Sequence, residues 1–314
     1  MTTLERLADW SRRGTITEEQ QETLAALVRR ERFSLYLELN ALLYLGVLSI
    51  AGGVGWTVRT YFTNLGDAAI ILSLTGILAG CFYYCVSRAD PYSSEEVESP
   101  TLAFDYVLYL ACVVLGIELG YLETRFALLR EAWNYYVLAS AVIYFSLAYR
   151  FDNRLVLSLA LSTLAAWFGL SLTLWGYGSA DSLRLSAITY GLVVGGLGAV
   201  LRYRELKPHF FETYLHLAAT VLFVALLSGV DDPRFRWVYL AALVGLGVIA
   251  ILGGVQYRRF AFVGYGIVFA YLGISFRLLL VIGSATLGMF YGVVSATAVL
   301  VLLVYLARQF ARED

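Results

Sequence analysis

The chain has 314 residues, 60% of them hydrophobic and only 15% charged, with a mean hydropathy of +0.71. Such values do not describe a soluble core, and they place the chain in a bilayer. The formal net charge of −1 is less informative than the distribution of charge along the chain. The basic residues are scattered at the ends of apolar runs and do not form a nucleic-acid track, so no nucleic-acid partner is expected.

The chain opens with a polar and amphipathic head, residues 1–34. Leu4, Leu7, Ala8 and Trp10 give a short amphipathic helix that stops at Gly14 after Arg12-Arg13, where glycine supplies a left-handed cap. Thr17 begins a second helix, with Gln20 completing a capping box. The result is a short cytoplasmic helical hairpin, too small to bury a core alone. It must rest on the membrane domain, on lipid heads, on another subunit or on a protein partner. No cleavable leader is expected, because more than thirty polar or amphipathic residues precede the first apolar run.

The segments Leu7-Ala8-Asp9-Trp10, Gly14-Thr15-Ile16-Thr17 and Gln20 resemble the start of a bacterial membrane family, domain of unknown function 2157. The glycine-rich stretch from Gly46 to Gly55, followed by Asn64-Leu65-Gly66-Asp67, fits the same family. The resemblance is specific over roughly the first seventy residues and general beyond them. It implies a multi-span inner-membrane protein and brings no catalytic residue with it.

A bilayer-crossing helix needs about 20 mainly apolar residues, and its backbone groups must be satisfied within the segment. Ten stretches qualify: Glu38–Val58, Asp67–Ser87, Leu102–Leu122, Trp133–Tyr149, Leu155–Trp175, Leu183–Leu201, Phe211–Gly229, Trp237–Gly253, Phe260–Phe276 and Ala285–Ala307. The expected fold is therefore all-α, a polytopic integral membrane helical bundle of about ten transmembrane helices. Its units are the head, 1–34, the membrane domain, 35–310, and a cytoplasmic tail, 311–314. Phe260–Ala307 has little polar interruption beyond Arg277 and Gly283-Ser284, and its length fits two helices with a tight turn. Cys81, Cys85 and Cys112 fall inside spans, so no disulfide framework is expected.

With an even number of spans, 16 of the 23 Lys and Arg residues fall on the side of both termini. The positive-inside rule then puts both termini in the cytoplasm of a bacterial inner-membrane protein. The loop Asp90–Glu98 reads as a flexible, solvated connector.

Ionisable residues within spans are costly and are the best functional pointers. Glu118, between Gly116 and Gly120, is the deepest acid. His209, Glu212 and His216 share a helical face at offsets of three and four. That face suits metal binding, a proton relay, or plain interfacial bonding. No metal site is assigned, because three or four ligands are needed and a neighbouring helix would have to add one. Asp105 lies near the same membrane end and joins Glu118, Glu212, His216 and His209 as a candidate polar cavity or proton relay. Arg202, Arg204 and Lys207 are candidate contacts for anionic lipid head groups. Arg277 is a candidate partner of Asp231, Asp232 or Glu118.

These residues support three functional readings. The first is a transporter or a lipid- or small-solute-handling protein with proton sensitivity. The second is a non-enzymatic scaffold or sensory component that docks a partner on residues 1–34. The third is an intramembrane enzyme with Glu212 and His216 as an acid–base pair. A cavity reaching Glu118 favours transport. The bilayer is an expected partner in all three, and no cofactor is expected.

Overall fold

The computed structural model describes residues 66–313, apart from 94–95 and 98–99, together with positions 10, 11, 17, 20, 21, 46, 49, 52, 53 and 56. The expected first span and most of the head lie outside the described residues. Within the head, Thr17 N–H donates to Gln20 Oε1 at 2.9 Å and Gln20 N–H donates to Thr17 Oγ1 at 3.2 Å. This reciprocal pair is the capping box expected there.

Among the described residues, nine helices follow in chain order: α1 Asp67–Arg88, α2 Leu102–Phe126, α3 Asn134–Phe151, α4 Arg154–Leu174, α5 Ala180–Tyr203, α6 Phe211–Gly229, α7 Arg236–Gln256, α8 Phe260–Ile282 and α9 Ala285–Glu313. Short 3-10 turns, Arg130–Ala132 and Pro208–Phe210, precede α3 and α6. Eight of the nine are long and apolar enough to cross a membrane by length and composition. The exception is α3, whose 18 residues reach about 27 Å. The protein is thus an all-α, multi-pass membrane bundle. The run from Phe260 onward divides at Gly283, whose φ of +64° suits glycine. Helix α9 continues to Glu313, past the expected end at Ala307.

Consecutive helices pack as antiparallel hairpins, α1–α2, α3–α4, α5–α6 and α7–α8, while the even-numbered helices touch one another in series. The even helices form a central row, and the odd helices flank it. The main core joins Leu108 and Cys112 of α2, Leu157 and Leu161 of α4, and Tyr214 and Ala218 of α6. Helix α9 packs on α8, and none of its most apolar stretch is buried within the chain.

Three hairpins turn the same way. Asp152, Glu205 and Arg258 each take positive φ just past the end of a helix. The next N–H reaches back five residues in each case: Asn153 to Ala148 at 3.1 Å, Leu206 to Leu201 at 3.0 Å, and Arg259 to Gly254 at 2.7 Å. These are Schellman closures made without glycine. They bring Arg150, Arg154, Arg202, Arg204, Lys207, Arg258 and Arg259 to one end of the bundle, hereafter the basic end.

Only some glycine pairs serve close packing. A Cβ on Gly266 would overlap the Gly247 carbonyl, and one on Gly247 would stand 3.1 Å from the Gly266 carbonyl, so α7 and α8 meet backbone to backbone. A Cβ on Gly76 or Gly80 would meet nothing within 4 Å among the described residues. Gly266→Ala is therefore expected to cost about 1–3 kcal/mol through overpacking. Gly76→Ala should leave thermal unfolding in detergent unchanged within error, and equal effects would contradict the α7–α8 packing.

Candidate functional site

The turn between α3 and α4 carries the most concentrated polar chemistry at the basic end. Asp152 Oδ2 lies 3.0 Å from Lys207 Nζ, and Oδ1 lies 2.5 Å from His209 Nε2. Val97 N–H donates to Oδ2 at 2.7 Å. The Asp152 and Lys207 side chains are each 2% exposed. The Lys207 ammonium also lies over the Tyr92 ring at 5.1 Å, a cation–π contact. Lys207, with φ of +47°, is a second left-handed residue in the same cluster. Asparagine and aspartate tolerate that region better than lysine, so the pairing holds a strained backbone in place.

Neighbouring residues extend this knot. Asn153 caps α4, its Oδ1 accepting from Leu155 N–H at 3.0 Å and Val156 N–H at 2.9 Å, while its amide donates to Asp105 Oδ1 at 2.7 Å. Arg150 donates to the Asp90 carbonyl at 3.0 Å, and Arg154 pairs with Glu96. The described part of the loop Asp90–Glu98 is consequently strapped to the turn, contrary to a free connector. The void beside Asp152 and Lys207 measures about 20 Å³, room for about one water and no solute.

The residues expected to form one polar cavity are distributed among separate neighbours. His209 binds Asp152, and Glu212 pairs with Arg259. His216 stacks on Phe262 at 4.6 Å and meets Tyr265 edge-on at 5.8 Å. Glu118 accepts from Thr75 at 2.5 Å, and its Oε2 is buried with no hydrogen-bond partner among the described residues. Thirteen residues of helix, about 20 Å, separate it from Asp105. Lys207 is not free for lipid head groups, because its ammonium is buried on Asp152. Arg202 is exposed and lies over the Phe211 ring at 4.8 Å, and Arg204 is also exposed. Among the described residues, no group of three or more His, Cys, Asp or Glu side chains is placed to hold a metal.

The opposite end has its own ion clusters. Arg125 Nε bridges both Asp67 oxygens, at 2.7 and 2.8 Å, and Tyr121 OH donates to Oδ1 at 2.9 Å. Buried Arg184 reaches Asp181 and Asp232, both at 3.0 Å, and its guanidinium lies 4.9 Å from the centre of the Tyr239 ring. Arg277 lies over Trp237 at 5.6 Å instead of pairing with an acid considered for it. The backbone N–H groups of Phe235 and Arg234 hold the Asp232 carboxyl below its ordinary range, with Arg184 adding to this against desolvation.

Two grooves run from near this end into the bundle. One, of about 380 Å³, runs between α2, α3 and α4 past Gly116, Gly120, Ser140 and Tyr144 to Glu123 and Trp133. The other, of about 510 Å³, lies between α5 and α6 along Leu183, Ala187, Val221 and Val224 to Arg184 and Ser228. Glu118 is on the opposite face of α2 from Gly116 and Gly120, so the first groove does not reach it.

Residues 8–157 match the family described as Predicted membrane protein (DUF2157). Over that stretch, a little under half of its length, the chain is similar to this family. The matched segment contains Glu118, the α2 and α3 walls of the first groove, and Asp152. Lys207 and His209, which complete the knot, lie beyond it. Comparisons with curated proteins and with solved structures gave no match.

Sequence reasoning missed Asp152, Arg184 and Glu123 as organising groups. An Asp-Asn pair between two apolar runs is a recognisable turn and cap signal. The partners of Arg184 come from other helices and have no local signal.

Two outcomes test these clusters. Asp152→Asn tolerates the left-handed backbone but leaves Lys207 buried beside a neutral amide, an expected loss of about 3–5 kcal/mol. Asp152→Asn combined with Lys207→Met should recover part of it, which a double-mutant cycle of detergent unfolding would read. For Asp232, the depressed folded pKa means that its contribution is present above the unfolded value of about 3.9 and fades as pH falls through the folded value. The difference in melting temperature between the wild type and Asp232→Asn should therefore be flat above about pH 5 and shrink below about pH 4.

Proposed function

We propose that the protein is a non-enzymatic membrane protein that takes a lipid or small amphipathic solute from the bilayer, in order to move or present it. It crosses the bacterial cytoplasmic membrane ten times, the undescribed Glu38–Val58 being the first span, with both termini in the cytoplasm. The gathering of basic residues at one end of the bundle supports this orientation. Residues 1–34 act as a cytoplasmic hairpin that can receive a protein partner, and 311–314 form the tail.

The observation that carries the reading is the 380 Å³ groove between α2, α3 and α4. Its size falls in the range of small-molecule sites, and its apolar walls lie within the expected membrane thickness. Polar side chains concentrate near the two ends, while the described middle is mainly apolar. That arrangement suits a chain-bearing ligand better than a hydrated ion. The expected proton sensitivity is kept in this proposal, with the Asp152 knot, which joins three loops, as the place to look for it.

Native mass spectrometry of the full chain released from lipid nanodiscs provides the test. At least one lipid should remain bound per chain after activation strong enough to remove loosely held lipid. A chain that emerges lipid-free under those conditions would overturn the reading.

A further inference from the structure

We infer that the groove between α2, α3 and α4 is a single-chain lipid site for an amine-headed phospholipid, with the ammonium against Glu123. This deepens the lipid-handling reading and rests on it. The argument begins with the walls. Gly120 leaves part of the α2 side of the groove open, since a Cβ there would meet nothing within 4 Å among the described residues, whereas at Gly116 the Tyr144 hydroxyl lies 3.0 Å from where a Cβ would stand and closes the groove's inner end. Val113, Val137 and Leu159 add aliphatic surface, and Tyr144 adds an aromatic ring.

Hydroxyl groups along the groove are already engaged. Ser140 donates to the Tyr136 carbonyl at 2.9 Å, Tyr144 to the Cys112 carbonyl at 2.6 Å, and Thr163 to the Leu159 carbonyl at 2.7 Å. The long part of the groove therefore presents an essentially apolar interior, suited to hydrocarbon. From Val113 to Glu123 it extends ten residues of helix, about 15 Å. That is about half of a 30 Å hydrocarbon core, the depth of one leaflet.

Charge chooses the head. Among the described residues, Glu123 is the one charged residue that lines the groove. It stands three residues from the end of α2, and its Oε2 accepts Leu129 N–H at 3.1 Å. Trp133 and Tyr136 stand with it, residue types that favour the membrane interface. A carboxylate at the interfacial mouth of an apolar slot complements an ammonium and repels an anionic head. Arg130 follows Leu129 directly and is exposed, which places a cation in the same loop for the lipid phosphate. The occupant is thus an ethanolamine-type phospholipid of the leaflet at that end, one chain lying along Gly120 toward Val113 and Val137.

The experiment uses the full chain in nanodiscs of mixed ethanolamine- and glycerol-headed phospholipid, with a trace of ethanolamine lipid carrying a photoactivatable diazirine on its chain. After irradiation, adducts should map to the 113–123 and 133–144 segments. Excess unlabelled ethanolamine lipid should compete, and the glycerol-headed lipid should not. Gly120→Leu fills the slot where there is space for a side chain, and should cut labelling about tenfold with the unfolding temperature retained. Glu123→Gln should keep the adducts but remove the head-group preference. Equal competition by glycerol-headed lipid in the wild type would overturn the inference. So would labelling spread over α7 and α9 and untouched by Gly120→Leu, or crosslinks from this groove to residues 38–58 in place of lipid. If lipid is retained in the mass spectra but these patterns fail, only the site and head-group assignment fall. If no lipid is retained, the broader reading falls as well.

Discussion

Asp152 joins three chain segments that are distant in sequence. It sits in the α3–α4 turn, its ionic partners come from the loop before α6, and its backbone donor comes from the strap between α1 and α2. A carboxylate so buried persists only if its charge and lone pairs are met, and the same holds for the Lys207 ammonium. The left-handed backbones of both residues are held by that mutual need. Once the knot is made, the lengths of the loops set how α2, α4 and α6 stand beside one another in the central row. The knot is therefore a clamp on the hairpins at the basic end, with a void too small to serve as a substrate site.

The rest of the polar chemistry follows the same economy. Arg184 meets Asp181 and Asp232, Arg125 meets Asp67, and Tyr190 OH donates to the Leu161 carbonyl at 2.6 Å. In a bilayer the alternative to an internal partner is hydrocarbon, so such groups settle at helix ends or on neighbouring backbone. Between the two polar ends the helices touch through glycine, alanine and aliphatic side chains. Gly247 and Gly266 bring α7 and α8 together, and Gly116 admits the Tyr144 hydroxyl, whereas Gly120 helps to leave a slot between α2, α3 and α4. Glycine has opposite consequences at these places because the facing surfaces differ.

The function proposed for the chain rests on that slot and not on the acidic residue deepest in α2. Glu118 bonds Thr75 across the α1–α2 contact, on the far side of α2 from the groove. The groove instead combines an apolar length of one leaflet with a carboxylate at its mouth, an arrangement fitted to an amphiphile. The exposed apolar surface of α9 is a separate matter, since among the described residues that helix packs mainly on α8.

Composition and local pattern were enough to locate the helices. Nine expected spans, from Asp67–Ser87 to Ala285–Ala307, correspond to α1–α9, with shifts of several residues at some ends. The Thr17–Gln20 capping box was legible for the same reason, because residues three apart interact within their own turn. Helical periodicity also placed His209, Glu212 and His216 near one another along the chain. It did not show that Asp152, Arg259 and Phe262 would each engage a different one of them. The sequence by itself determined that the chain is a helical membrane protein with its basic residues biased to one end, since bilayer thickness and backbone hydrogen bonding act on each segment separately. Only the tertiary structure decided which acids were paired, which glycines were contacts and where a groove remained, because those outcomes depend on side chains brought together from different helices.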